Sequence, residues 1–203
     1  MNTTPSRIGF YYDFASPYGY MAATKISALA ARHDRVVEWK PILLGVVFKV
    51  TGGVPLPSAP LKGDYSRRDM ERSARLFKIP FKLPSKFPIA SQSPARVIYS
   101  LESQGAARQE EVTLALYRAY MVEDRDISGP ETTADVAASV GLDRQKVLDV
   151  IADPVMKEKL KVETEAAIAR GVFGSPYIIV DGEPFWGFDR LEHVDRWLRD
   201  GGW

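Results

Sequence analysis

Strand signals occur only at the two ends of this 203-residue chain, with a long stretch of helical patterning between them. Ile8 to Phe14 is rich in aromatic and β-branched side chains and reads as a buried strand. Ser16 then supplies a helix N-cap oxygen, and Pro17 takes the first helical position, where its missing N–H costs nothing. Apolar residues at Tyr20, Met21, Ala23, Ile26, Leu29 and Ala30 continue at helical spacing to about Arg32, and Val36 to Trp39 reads as a second strand. Such a β-α-β opening implies a right-handed crossover and a parallel strand pair. At the far end, Tyr177 to Val180 reads as a strand and Asp181-Gly182 as a two-residue hairpin turn. Pro184-Phe185-Trp186 is its return, and a last helix follows over Asp189 to Leu198. A chain with β-α-β first, ββα last and helices between is an α/β layer split by a helical insertion.

The middle differs in texture. Gly45 to Pro60 is dense in Gly and Pro and reads as a loop reaching over something. Asp64 to Phe77 reads as a helix, and LFKIPFKLPSKFPIASQSP as an extended segment punctuated by prolines. Five further helices are expected over Ala95–Gln104, Glu110–Val122, Pro130–Val140, Arg144–Ala152 and Pro154–Gly171.

Composition excludes several function classes. With 27 Lys and Arg against 26 Asp and Glu the net charge is +1, so no electrostatic footprint for nucleic acid or an anionic membrane is expected. Cysteine is absent, which removes disulfides, thiolate metal sites and any cysteine nucleophile. The polar start MNTTPSR has no apolar core of a secretory signal, and no apolar run is long enough to span a bilayer. A cytoplasmic protein is the expectation. His33 and His193, the only histidines, read as surface residues in charged helical contexts. With no HxxxH, carboxylate cluster or Gly-rich phosphate loop, neither a metal nor a nucleotide is expected.

Three stretches carry a family resemblance. FYYDFASPYGYMA at the start, LLGVVFKVTGGVPLPSAPLKGDYSRRDMER in the middle and GVFGSPYIIVDGEPFWGFDRL at the end resemble, in the same order, the 2-hydroxychromene-2-carboxylate isomerases and kappa-class glutathione transferases. These belong to the DsbA-like branch of the thioredoxin fold. The resemblance implies a four-stranded mixed sheet in a thioredoxin-like domain over residues 1–45 and 160–203, with an inserted α-helical domain over 46–159. It also implies a homodimer, a cis bond between Ser175 and Pro176, and glutathione as the bound thiol.

Each candidate site residue has a structural reading beside the functional one. Ser16 serves as an ordinary N-cap; the resemblance places it where related redox proteins keep a reactive cysteine, so its hydroxyl would donate to a thiolate that glutathione brings. Ser175-Pro176 is either a plain turn or a strand-like edge that pairs with the cysteinyl backbone of glutathione. Gly187, Phe188, Asp189 and Arg190 lie at a helix start: Asp189 either caps that helix or receives the γ-glutamyl ammonium, and Arg190 is either a ligand contact or a solvated residue. Lys49, Pro60 and Lys62 are similar to family positions around the ligand, where a lysine would meet a carboxylate rather than water alone. Tyr18 and Phe87 would flank a planar aromatic substrate. Gly53 departs from the pattern, which usually has TGN where this chain has TGG, so an amide next to the substrate is lost.

The activity implied is a glutathione-dependent isomerisation of a small bicyclic aromatic-degradation intermediate. A thiolate adds, the ring opens, a bond rotates and elimination returns glutathione unconsumed. A kappa-type transferase would release a conjugate instead. A non-catalytic thiol- or peptide-binding module is the alternative from another class.

Overall fold

Residues 6–203 are described by a computed structural model; Met1 to Pro5, most of the polar start, lie outside the described residues. The sheet has four strands in the order β2-β1-β3-β4: β1 Arg7–Tyr12, β2 Val36–Pro41, β3 Tyr177–Val180 and β4 Glu183–Trp186. β1 runs parallel to β2, with Arg7 opposite Val36 and Tyr12 opposite Pro41, as the crossover through α1 (Pro17–Ala31) requires. β3 is antiparallel to both β1 and β4, and Asp181-Gly182 closes the hairpin. The fold is a four-stranded mixed sheet, as the resemblance implies, in a chain whose described residues are mostly helical.

Alternation along β1 builds a core on each face of the sheet. Ile8, Phe10 and Tyr12 point to one side, among α1 and α5 (Ala106–Met121). There Phe10, Tyr12 and Trp39 sit with ring centroids 5.1–5.7 Å apart, and Phe14 lies 4.9 Å from Tyr117. Tyr11 points to the other side, with Ile42, Val47 and Ala167 from α2 (Leu44–Thr51), its approach and α8 (Pro154–Ala169). Between α2 and α8 run α3 (Lys62–Leu76), α4 (Gln92–Ser100), α6 (Pro130–Ser139) and α7 (Arg144–Ala152). The last helix, α9 (Leu191–Asp200), packs against α1.

Two expectations are corrected here. The segment from Gly45 to Pro60 is not loop throughout: residues 44–51 are helical and 56–58 form a 3-10 turn. Val46, Val47 and Val50 are weak helix formers, and Leu43 at the N-cap offers no side-chain oxygen. The missing cap comes from Asp13, whose Oδ2 accepts the Leu44 N–H at 2.7 Å, while Gly52 ends the helix in the left-handed region at φ 72°. A cap 31 residues upstream leaves no local signal. His33 is the second correction. Its side chain is mostly buried, and its Nε2 lies 2.9 Å from Asp195 Oδ1 because α9 packs on the end of α1.

Candidate active site

Antiparallel pairing of Tyr11 with Tyr177 sets the residues after β1 beside those before β3. The Asp13 N–H therefore donates to Ser175 Oγ at 2.9 Å, across 162 positions of sequence. Pairing of Tyr177 with Trp186 carries the β4 exit to the same end of the sheet, where the Gly187 N–H donates to the Pro176 carbonyl at 3.1 Å. The Ser175–Pro176 peptide bond is cis, as is Phe87–Pro88.

Ser16 lies at this meeting point. It caps α1 through Oγ, which accepts the Gly19 N–H at 3.0 Å, so the structural role holds. Its own proton goes to the Ser175 carbonyl at 2.8 Å. Pro17 has no N–H and Gly19's is taken, which leaves the Tyr18 N–H as the first-turn donor still open to an anion. Gly19 is required for packing: a Cβ there would stand 2.8 Å from Ser175 Oγ and 2.9 Å from the Tyr117 hydroxyl.

Two cavities open onto this point and share Tyr18, Leu56, Ser175 and Trp186 in their walls. The larger, a cleft of about 1030 Å³, runs between α1, α3 and the chain leaving β4. It gathers Ser175, Pro176, Gly187, Phe188, Asp189 and Arg190 from the candidate set. The smaller, a mostly apolar chamber of about 760 Å³, gathers Ser16, Tyr18, Lys49, Gly53, Phe87 and Ser175. Pro60 and Lys62 line neither of the two. Tyr18 is more than a wall: its hydroxyl donates to Asp69 Oδ2 at 2.6 Å, and burial with that carboxylate pushes the phenol well above its usual range.

The tail residues divide their labour. The Phe188 ring is buried and packs edge-on to Phe77 at 4.7 Å, so it anchors the turn and leaves its backbone to the cleft. Asp189 caps no helix; its carboxylate is exposed, 3.3 Å from the Arg190 guanidinium. Residues of both signs on one turn suit a ligand that is itself zwitterionic.

Two residues of the site, Trp186 and Asp13, carry no site signal in the sequence; a third, Phe48, reads there as core or pocket wall, and the chamber lining agrees. Trp186 is half exposed, lines both cavities and packs against Gly174, where any Cβ would run into its Nε1. Phe48 faces the chamber from α2. Asp13 is buried beneath the junction, its Oδ1 accepting the Ala15 N–H at 2.8 Å and its Oδ2 the Leu44 N–H; burial pushes its carboxyl up despite these bonds. The aspartate two residues before Ala15 is an Asx-turn signal, and it was the one cue available.

Comparison with known proteins is consistent with this geometry. The family model described as a DSBA-like thioredoxin domain matches residues 7–199. A 2-hydroxychromene-2-carboxylate isomerase of Sphingobium xenophagum is 30% identical over 196 residues, covering 95% of this chain and 98% of that one. Glutathione S-transferase kappa 1 of Rattus norvegicus is 25% identical over 215 residues, covering 98% and 95%. A solved structure of 2-hydroxychromene-2-carboxylate isomerase superposes with a TM-score of 0.86 at 27% identity, covering 96% of this chain and 95% of that one. These relatives are isomerases and glutathione transferases, enzymes of full matching length.

Proposed function

The chain belongs to the DsbA-like thioredoxin family, beside the 2-hydroxychromene-2-carboxylate isomerases, and from that premise we propose that it is a glutathione-dependent isomerase of a small aromatic substrate. One observation carries the reading: a serine-capped helix start, in a chain without cysteine, lies where a charged cleft meets an apolar chamber. When bound, glutathione supplies the sulfur that adds to the substrate and later leaves it, neither consumed nor oxidised.

The donor set fits such a thiol. Ser175 and Pro176 offer a backbone edge, Asp189 a carboxylate for an ammonium, and Gly187 to Arg190 the backbone and cation for a carboxylate. The open Tyr18 N–H, joined by the Ser16 hydroxyl once its proton turns from the Ser175 carbonyl, holds negative charge at the sulfur position. On the chamber side Phe48, Phe87 and Trp186 orient a planar ring, and Lys49 meets its carboxylate. In this reading the thioredoxin-like part (1–45 and 160–203) supplies most of the thiol side and the helical insertion (46–159) most of the substrate side. A cytoplasmic homodimer remains part of the proposal. No helix among the described residues is long and apolar enough to cross a membrane.

The test has two arms. Glutathione should raise the melting temperature of the wild type, and Ser16→Ala should lower turnover about 10²–10³-fold, as loss of one preorganised donor does elsewhere. The lost cap costs only about 1 kcal/mol of stability, so a folded variant remains measurable. Full turnover in Ser16→Ala would remove the thiolate role. Stoichiometric consumption of glutathione would make the protein a transferase, the reading that its kappa relative favours.

A further inference from the structure

The Ser16 proton points the wrong way for its proposed task. In the structure Ser16 Oγ–H donates to the Ser175 carbonyl at 2.8 Å, while the same oxygen accepts the Gly19 N–H at 3.0 Å. The hydroxyl has one proton, so as it stands it offers nothing to a sulfur. The carbonyl it occupies belongs to Ser175, a residue that lines both the cleft and the chamber.

We propose that the Ser16–Ser175 hydrogen bond is a specificity switch: an amide N–H on the incoming thiol takes over the Ser175 carbonyl and so releases the Ser16 hydroxyl to the sulfur. This rests on the glutathione reading above and goes beyond it by naming which thiols activate the site. They are cysteinyl peptides and N-acylated cysteine thiols, in which an amide N–H sits on the carbon that bears the CH₂–SH arm. Simple alkyl thiols enter but leave Ser16 locked.

The geometry permits this at little cost. Turning the hydroxyl about Cβ–Oγ moves only the proton, so the Gly19 N–H bond to Oγ and the helix cap survive. Without a replacement donor the turn would leave the Ser175 carbonyl unpaired, which opposes it. The ligand N–H supplies that replacement, and the bond gained by Ser16 is to an anion and therefore stronger than the one given up. Ser175 is itself fixed, because its Oγ accepts the Asp13 N–H at 2.9 Å, so the carbonyl does not follow the hydroxyl away. Only the S–H bond breaks; its proton leaves to bulk water.

The experiment measures ionisation of the bound thiol by the ultraviolet absorbance of its thiolate across a pH titration, with binding followed by calorimetry. The probes are glutathione and an analogue methylated on the cysteinyl nitrogen, each at saturating concentration. In the wild type, loss of the amide N–H should lower the ionised fraction about tenfold at a pH below both midpoints, the equivalent of one pKa unit. In Ser16→Ala, which has no hydroxyl to release, the two thiols should ionise alike. An ester-linked analogue, which removes the N–H without adding a methyl group, covers a methyl too bulky to enter. Equal ionisation of all three thiols in the wild type overturns the switch and leaves glutathione binding standing. A tenfold difference that persists in Ser16→Ala also overturns it, since the effect would then bypass the serine. Absence of glutathione binding by calorimetry overturns the glutathione reading itself, and the switch with it.

Discussion

The cleft and the chamber that meet at Ser175 both have mainly apolar walls and differ in the charges set into them. The cleft is lined by charges of both signs, among them Asp189, Arg190, Lys25 and Arg32. The chamber is lined mainly by carbon, with Lys49 as its cation and Asp13 buried at its floor. A wall of fixed charges selects a ligand by the placement of its ammonium and carboxylate groups. A wall of aromatic rings selects by shape and discriminates weakly between near neighbours. Thiol affinity and substrate preference should therefore be separable by mutation, although the two ligands would lie side by side.

Asp189→Asn should give the largest effect on the charged wall. Its carboxylate is exposed and already beside Arg190, so losing the pair with an ammonium costs about 1 kcal/mol, or about fivefold in the KM for glutathione. The KM for the aromatic substrate should stay where it was. If steady-state kinetics show both constants moving together, the walls are not independent and the division fails.

Asp13 tests how the walls are joined, since it holds the Ser16 loop through Ala15 and α2 through Leu44. Burial, the dominant influence on its carboxyl, pushes it up, while the bonds from Ala15, Leu44 and Ser91 pull the other way. The folded protein thus keeps this proton to higher pH than the unfolded chain. The stability it brings is complete below the ordinary carboxylate range and is lost as pH rises from about 3.9 through the raised folded value. Over that window the wild type should lose up to about 1.4 kcal/mol per pH unit relative to Asp13→Asn. Denaturant melts at a series of pH values would show it, and parallel curves for the two proteins would contradict it.

Legibility divided along the same line. Ser16, Ser175, Pro176 and the Gly187–Arg190 turn were readable as element boundaries from local chemistry (Ser-Pro at a helix start, Ser-Pro before a strand, Gly after one), and only the resemblance made them site candidates. The fold was readable because hydrophobic period changes where the elements change. The chamber was not, for two physical reasons. Helix α2 is capped by a carboxylate from a distant element, so its valines looked like loop. Trp186 reached the site through packing on Gly174 across the β3–β4 hairpin, a contact that follows no helix or strand period, whereas Phe48 was readable as core or pocket wall. Pro60 and Lys62, chosen by resemblance, stand outside both cavities for the same reason, since a position in a motif does not fix which way the chain turns.

Lys49→Met sharpens the chamber side. The lysine is exposed, so solvent screens its interaction with a substrate carboxylate to about 0.2–1 kcal/mol. The KM for a carboxylated aromatic should rise by up to about fivefold, while that for its neutral amide or ester should hold steady. Equal changes for both substrates would remove the lysine from carboxylate recognition.

The smallest effect should come from Gly53→Ala, and it bears on the one departure from the family pattern. A Cβ at Gly53 would stand 2.7 Å from Phe48 Cδ1, so even a methyl group must push that ring. The backbone there lies outside the left-handed region, so alanine meets no conformational strain. The loss of chain freedom in the unfolded state should return about 0.4–1 kcal/mol, against a comparable cost for moving the ring. Stability should therefore change little, and the consequence should fall on the chamber, whose wall Phe48 forms. Relative kcat/KM across single-ring and bicyclic substrates should shift by a few-fold, within the roughly 1–3 kcal/mol that a hydrophobic pocket commands, with the glutathione KM unchanged. Unaltered ranking of those substrates would mean that Phe48 does not shape the chamber and that glycine at this position serves only the turn after α2.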